Sequence, residues 1–210
     1  NIELSGGIYD PLQSEYLVKL SKNISFQVHN YFPPPIHPFV FNLGSLDKDI
    51  CKLSFQHALR AIKLSSDLGG KYFSFHAGFL LDPNVKDLGK RIKKSNLFSR
   101  KESLSLFIEN VIKLSDFSKG FGIDLLVENN VISLNNFNEF KSNPFLMTDP
   151  DECNYVMSQL PTSVNLLVDV AHLKVSANSL NFNPVRLLDL CNNRIKAYHL
   201  SDNDGKSDTN

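Results

Sequence analysis

The sequence predicts an α/β fold: a (β/α)8 barrel of the TIM type, here without its first and last strands. Three observations carry that prediction. Six short apolar runs alternate with helical segments, which signals βα units and a parallel sheet. In the first five runs one face is consistently apolar and the other carries polar residues. Five consecutive runs then end on or near a His, Glu or Asp. An open sheet covered by helices on both sides would be apolar on both faces, whereas a barrel keeps a partly polar interior near its mouth.

The elements follow in order. In Ile2–Ser5, Ile2 and Leu4 oppose Glu3 and Ser5. Asp10-Pro11 starts a helix with Pro at the first helical position, and Leu12, Tyr16 and Leu20 follow at helical spacing. In Ile24–His29, Phe26 and Val28 oppose Ser25, Gln27 and His29. Ser45 is placed to cap a long helix with Ile50, Leu53, His57, Ala61 and Leu64 or Leu68 on one side, stopped by Gly69-Gly70. In Tyr72–His76, Phe73 and Phe75 oppose Ser74 and His76. Ser99 with Glu102 reads as a capping box for a helix that runs to Gly120. In Ile123–Glu128, Leu125 and Val127 oppose Asp124, Leu126 and Glu128. Asp149-Pro150 opens another helix, ended by Pro161. In Val164–Asp169, Leu166 and Val168 oppose Asn165, Leu167 and Asp169. Asn183-Pro184 starts a short helix before the last run, Ile195–Leu200.

Composition bounds the function. The 210 residues show no linker and no low-complexity stretch, so residues 1–210 read as a single domain. Lys+Arg and Asp+Glu are both 22, which argues against a nucleic-acid coat or a polybasic membrane anchor. No apolar run approaches the roughly 20 residues that span a bilayer, and no secretory signal opens the chain. Cys51, Cys153 and Cys191 lack metal-type spacing, and an odd, scattered count fits a reduced cytoplasm. There is no G-x-G-x-x-G and no P-loop. The chain starts at Asn1 rather than Met and stops at Asn210 in a loop-like stretch, so we expect the natural chain to be longer at both ends.

The run ends carry the chemistry. His29, His76, Glu128, Asp169 and His199 share the interior face at the C-terminal rim, where barrels of this type place their active sites. His172 follows Asp169 by three residues, and Asp202 follows His199 by three. Imidazoles and carboxylates converging on a low-dielectric mouth form a metal-ligand inventory. Each residue alone has an ordinary reading: a loop hydrogen bond for a strand-end His, a turn for Glu128-Asn129-Asn130. Their shared parity favours the metal site. His37, in a Pro-rich loop, and His57, within a helix, are left outside it.

These residues resemble a known family. Phe75-His76-Ala77-Gly78, Leu126-Val127-Glu128-Asn129, Leu167-Val168-Asp169-Val170-Ala171-His172 and His199-Leu200-Ser201-Asp202 resemble the strand-end motifs of the xylose-isomerase-like TIM barrels. His29-Asn30-Tyr31 with Asn42-Leu43-Gly44 is similar to the ligand-bearing region of that superfamily's endonuclease IV type nucleases. The resemblance implies strands two to seven of eight, and a divalent ion (Mn, Mg, Co or Zn) held by Glu128, Asp169 and His199. The family's second Glu lies on the eighth strand, outside this sequence. By resemblance His172 binds a substrate oxygen, and His29 and His76 hold a further ion. Asp208, Asp202 and Asn210 are further metal or substrate candidates. Asn210 stands where the nucleases carry a third-site His, and Asn is a poor zinc ligand beside His.

The implied function is a cytoplasmic, metal-dependent isomerase or epimerase of a small sugar or sugar phosphate, with Glu128 and His172 in the catalytic roles. One alternative is an endonuclease IV-like phosphodiesterase. The basic cluster Lys90-Arg91-Ile92-Lys93-Lys94 with Arg100-Lys101 would then grip phosphate, although the neutral total charge disfavours nucleic acid. A second alternative is a non-catalytic barrel used as a binding module through the aromatic, Pro-rich loop Tyr31 to Phe39, which otherwise reads as a lid. Oligomeric state is left open.

Overall fold

The computed structural model describes residues 1–88 and 90–207. Strands β1 (Ile2–Leu4), β2 (Phe26–His29), β3 (Tyr72–His76), β4 (Asp124–Glu128), β5 (Val164–Asp169) and β6 (Ile195–His199) form one sheet. The sheet order is the sequence order, and every neighbouring pair is parallel. A doubly wound sheet reverses its strand order once; this one never does, which is the winding of a barrel. Among the described residues β1 and β6 are edges, so the sheet is a partial TIM barrel.

Helices α1 (Gln13–Leu20), α2 (Lys48–Asp67), α3 (Arg100–Lys119), α4 (Leu134–Phe140), α5 (Pro150–Gln159), α6 (Val170–Leu180) and α7 (Val185–Cys191) fill the crossovers. Two of them, α4 and α6, lacked sequence signals strong enough to single out. α6 begins directly after β5 because Asp169 ends the strand and caps the helix with one side chain, which accepts from His172 N at 2.7 Å. The cap of α2 is Asp47, not Ser45. Asp47 Oδ1 accepts from the backbone N–H groups of Asp49 and Ile50, while the Ser45 hydroxyl donates to Asp82 Oδ2 at 2.6 Å. Ser99 and Asp149 cap α3 and α5 as the sequence suggests.

Side-chain parity divides the molecule into two environments. Phe26, Val28, Phe73, Phe75, Leu125, Val127, Leu166 and Val168 pack outward into one core with Ala61 and Ile62 of α2, Phe107 and Leu114 of α3, and Val156 of α5. Leu126 and Leu167, of the opposite parity, are equally buried but inside the barrel. The polar members of that inner face rise toward the C-terminal rim. The register pairs His29 with Ser74, His76 with Glu128, and Asp169 with His199.

One irregularity decides where His199 points. The β5–β6 register runs Leu166 to Ile195 but Leu167 to Ala197, so β6 carries one extra residue, Lys196. Without that bulge, Ile195 and His199 would share a face, and His199 would follow Ile195 toward the helices. With it, Ala197 and His199 turn inward beside Leu167 and Asp169.

His57, on α2, is fully buried, with Nε2 3.2 Å from Asn30 O and its ring stacked on Tyr31 at 5.5 Å. Burial pushes its pKa down to about 4, and the Arg60 cation acts in the same direction. A neutral His57 therefore contributes stability above pH ~6.5 that is lost as pH falls toward 4. That loss should amount to about 3 kcal/mol, and His57→Gln, which keeps a donor toward Asn30 O, should remove most of it. Urea unfolding at pH 7 and pH 4.5 checks this; a variant as acid-sensitive as the parent would exclude His57 as the source.

Candidate metal centre

Glu128 occupies the middle of the rim and is 1% exposed. Its Oε2 lies 3.2 Å from His29 Nε2 and 3.5 Å from His76 Nδ1. Its Oε1 lies 3.1 Å from His199 Nδ1 and 3.7 Å from His172 Nδ1. Asp169 Oδ2 is 3.7 Å from the same His199 nitrogen. The rings of His29 and His76, His29 and His199, and His76 and His172 sit 5.1–5.4 Å apart. All six rim residues that the sequence joins in one constellation, His29, His76, Glu128, Asp169, His172 and His199, thus meet around one carboxylate.

Local structure explains each placement. Asn30 adopts a left-handed φ of 43°, tolerable for Asn, and turns the chain directly after His29. The Ser74 hydroxyl sits 2.9 Å from His29 Nδ1 and so directs Nε2 toward Glu128. Asn42 Oδ1 accepts from Gly44 N and Phe79 N and so ties the Asn42-Leu43-Gly44 turn to the loop after His76. A Cβ at Gly78 would stand 2.7 Å from that oxygen, which explains the glycine. Asn129 accepts from Asp169 N at 2.8 Å and donates to Asp169 O, while Asn130 donates to Ala77 O and Gly78 O. The two asparagines after Glu128 therefore pin both neighbouring strand ends. The capped first turn of α6 gives the Asp-x-x-His spacing its meaning: it brings His172 back over the rim, with Nδ1 3.0 Å from Asn129 O.

The electrostatics fit a cation. Burial pushes His29 and His76 down to about 4, so both are neutral donors at pH 7. Hydrogen bonds to Asp169, Glu128 and Glu3 push His199 up to about 12. Burial acts to raise the Asp169 carboxyl, but His199 and the backbone of His172 outweigh it and hold the group low. Two polar atoms of the cluster, His76 Nδ1 and Glu128 Oε2, are buried without a hydrogen bond. Buried groups without a hydrogen bond call for a partner, and these two face each other at 3.5 Å. Three sets of donors lie within 4.8 Å of one another: Glu3, His29 and His199; His29, His76 and Glu128; Glu128, Asp169 and His172.

A cavity of about 590 Å³ opens over this cluster, a size suited to a small molecule. Tyr31, Phe39, Phe41, Phe79 and Phe145 form its apolar wall, and Ser133, Asn135 and Asn136 its polar one. The loop from Tyr31 to Phe39 contains a cis Phe32-Pro33 bond and is closed by Tyr31 Oη accepting from Phe39 N at 2.6 Å. Lys90 and Arg91 also line the cavity, Arg91 paired with Glu139, whereas Arg100 is turned away onto Glu152.

Some candidates lie elsewhere. Asp202 is exposed and bonded to Lys174 Nζ at 2.7 Å, outside the cavity wall, because the chain beyond β6 runs back over α6. Asp208 and Asn210 lie outside the described residues. His37 is exposed, and His57 belongs to the core behind the Tyr31 loop. Glu3 is the residue that sequence reading missed: its Oε2 is 3.1 Å from His199 Nε2. Its alternation with Ile2 and Leu4 marked it as interior, but it sits in a run that ends on Ser5 without a His, Glu or Asp at the rim, so no local pattern joined it to the site. Burial acts to raise the Glu3 carboxyl, yet the hydrogen bond from His199 and the surrounding imidazoles bring it below its ordinary value.

The chain matches the family model described as xylose isomerase-like TIM barrel over residues 8–210. No curated protein matches it. Among solved structures it is similar to a D-tagatose 3-epimerase-like protein, with a TM-score of 0.69 at 17% identity over 97% of this chain and 67% of that one. It is similar to a Thermus thermophilus protein soaked with ZnCl2, with a TM-score of 0.62 at 20% identity over 97% and 68%. A third is D-psicose 3-epimerase with D-tagatose from Clostridium cellulolyticum, with a TM-score of 0.60 at 14% identity over 91% and 58%. At these identities the likeness is one of fold. No helix among the described residues is long and apolar enough to cross a membrane.

Asn129 is 1% exposed, and its side chain joins the ends of β4 and β5. Truncation leaves Asp169 N–H and C=O short of partners. Asn129→Ala should lower the unfolding free energy by about 1–3 kcal/mol at neutral pH. Urea denaturation measures this, and a variant within error of the parent would show that the amide does not hold the rim.

Proposed function

Because the chain belongs to the xylose isomerase-like TIM barrel family, we propose that it is a divalent-metal-dependent isomerase or epimerase of a sugar or sugar phosphate. One observation carries this reading: a buried carboxylate, Glu128, faces four imidazoles and Asp169 at the floor of a cavity of about 590 Å³, and its Oε2 and His76 Nδ1 are buried without a hydrogen bond. Mixed imidazole and carboxylate donors suit Mn, Mg, Co or Zn. Glu128, Asp169 and His199 would hold the ion, and His29 and His76 stand beside them as further donors. When bound, the ion supplies Lewis-acid polarisation of a carbonyl or a hydroxyl pair.

The chain's own groups do the rest. Glu128 takes the proton from the carbon next to the carbonyl. In an isomerisation it delivers that proton to the adjacent carbon, whereas an epimerisation takes the new proton on the opposite face from a second acid, the role the family resemblance gives to the Glu of the eighth strand. His172, on the cavity wall and held through Nδ1 by Asn129 O, hydrogen-bonds a substrate oxygen. The wall of Tyr31, Phe39 and Phe79 keeps water from the reacting carbon. Lys90 places positive charge on the cavity wall beside the Arg91–Glu139 pair, which favours a phosphorylated over a neutral sugar.

A second reading rests on a separate observation. The group His29, His76 and Glu128 shares its carboxylate with the group Glu128, Asp169 and His172. Two ions, if these groups held them, would supply the chemistry of in-line phosphoryl displacement. Metal content after dialysis separates the two: one exchangeable ion per chain supports the isomerase, and two or three zinc ions support the phosphodiesterase. No ion, even after reconstitution, would sink both and leave a binding barrel.

For the leading reading, Glu128→Gln should lower turnover on a sugar or sugar phosphate by about 10²–10⁴-fold or more. Far-ultraviolet circular dichroism should not change. Retained turnover would remove the proton-transfer role from Glu128.

A further inference from the structure

Glu3 has no place in the family resemblance, yet its geometry relates it to the site in one specific way. It lies on β1, and His199 lies on β6, the two edge strands, which share no backbone pairing. Their side chains nevertheless meet, with Glu3 Oε2 3.1 Å from His199 Nε2. The other ring nitrogen, Nδ1, is 3.1 Å from Glu128 Oε1 and 3.7 Å from Asp169 Oδ2. Sheet pairing does not impose this contact. Gln27, the neighbour of Glu3 across the β1–β2 register, spends its amide on Tyr72 O at 2.6 Å.

An imidazole that ligates through one nitrogen keeps its proton on the other, and a carboxylate at that second nitrogen fixes both tautomer and ring angle. We propose that Glu3 is a positioning residue that holds His199 as the Nε2–H tautomer, so that the Nδ1 lone pair faces a cation between Glu128 and Asp169. The inference rests on the metal-site reading given above. It adds a carboxylate from the far edge of the sheet whose work is done through His199. The contact also links β6 to β1, which no backbone pairing joins, so the orientation of one ligand depends on both strands being in place.

The test is made on the zinc-loaded chain. Long-range proton–nitrogen correlation spectra of the wild-type protein should show His199 protonated at Nε2 and metal-bound at Nδ1. Zinc titration by calorimetry should then show Glu3→Gln and Glu3→Ala binding the ion about 10–100-fold more weakly, with unchanged stoichiometry and unchanged circular dichroism without metal. Zinc on Nε2 of His199 would overturn the proposal without any variant. So would Glu3 variants that bind as tightly as the parent. Loss of one whole ion, with the affinity of the remainder intact, would make Glu3 a direct ligand with His29 instead. A wild-type chain that takes up no zinc would overturn the underlying metal-site reading, an outcome distinct from the other three.

Discussion

A carboxylate at 1% exposure, ringed by four imidazoles, is the constraint around which this molecule is arranged. Glu128 cannot be buried as an isolated ion at tolerable cost, so its neighbours must supply positive charge or bring in a cation. The surrounding structure is consistent with both. His199 carries a proton between three carboxylates when no ion is present, while His29 and His76 stay neutral through burial. A divalent ion, as proposed for this site, would take the place of that proton and give a partner to the two atoms that make no hydrogen bond.

The scaffold serves this arrangement through backbone pairing more than through side-chain packing. Parallel register sets the height of each rim residue: His76 stands level with Glu128, and Asp169 with His199. Asn129 and Asn130 then lock the strand ends on either side of Glu128. The apolar core lies on the other side of the sheet, between strands and helices, and leaves the inner face free for chemistry. Substitutions in the two environments should therefore have different consequences, loss of stability outside and loss of ligand geometry inside.

Much of this was legible in the amino-acid order because strand parity is a short-range property. Phe73 and Phe75 against Ser74 and His76 can be read without knowing the fold. So can a cap such as Asp149 before Pro150, since its partners are two and three residues away. Ser45 misled for the converse reason. Its hydroxyl is claimed by Asp82, 37 residues distant, and the cap passed to Asp47. α6 escaped notice because its start is hidden inside a strand ending, where Asp169 does two jobs.

By itself the sequence determined the alternation of strands and helices, the polar inner face, and the place at the rim of His29, His76, Glu128, Asp169 and His172. These follow from local periodicity and residue chemistry. The tertiary structure alone decided three further matters. The extra residue in β6 turned His199 inward, and such a bulge is defined only against its partner strand. The fold of the chain beyond β6 drew Asp202 away to Lys174. Glu3 reached His199 across 196 positions of sequence, because barrel curvature brings the two edge strands within side-chain range. Each depends on distances between segments remote in the chain, which no local pattern encodes.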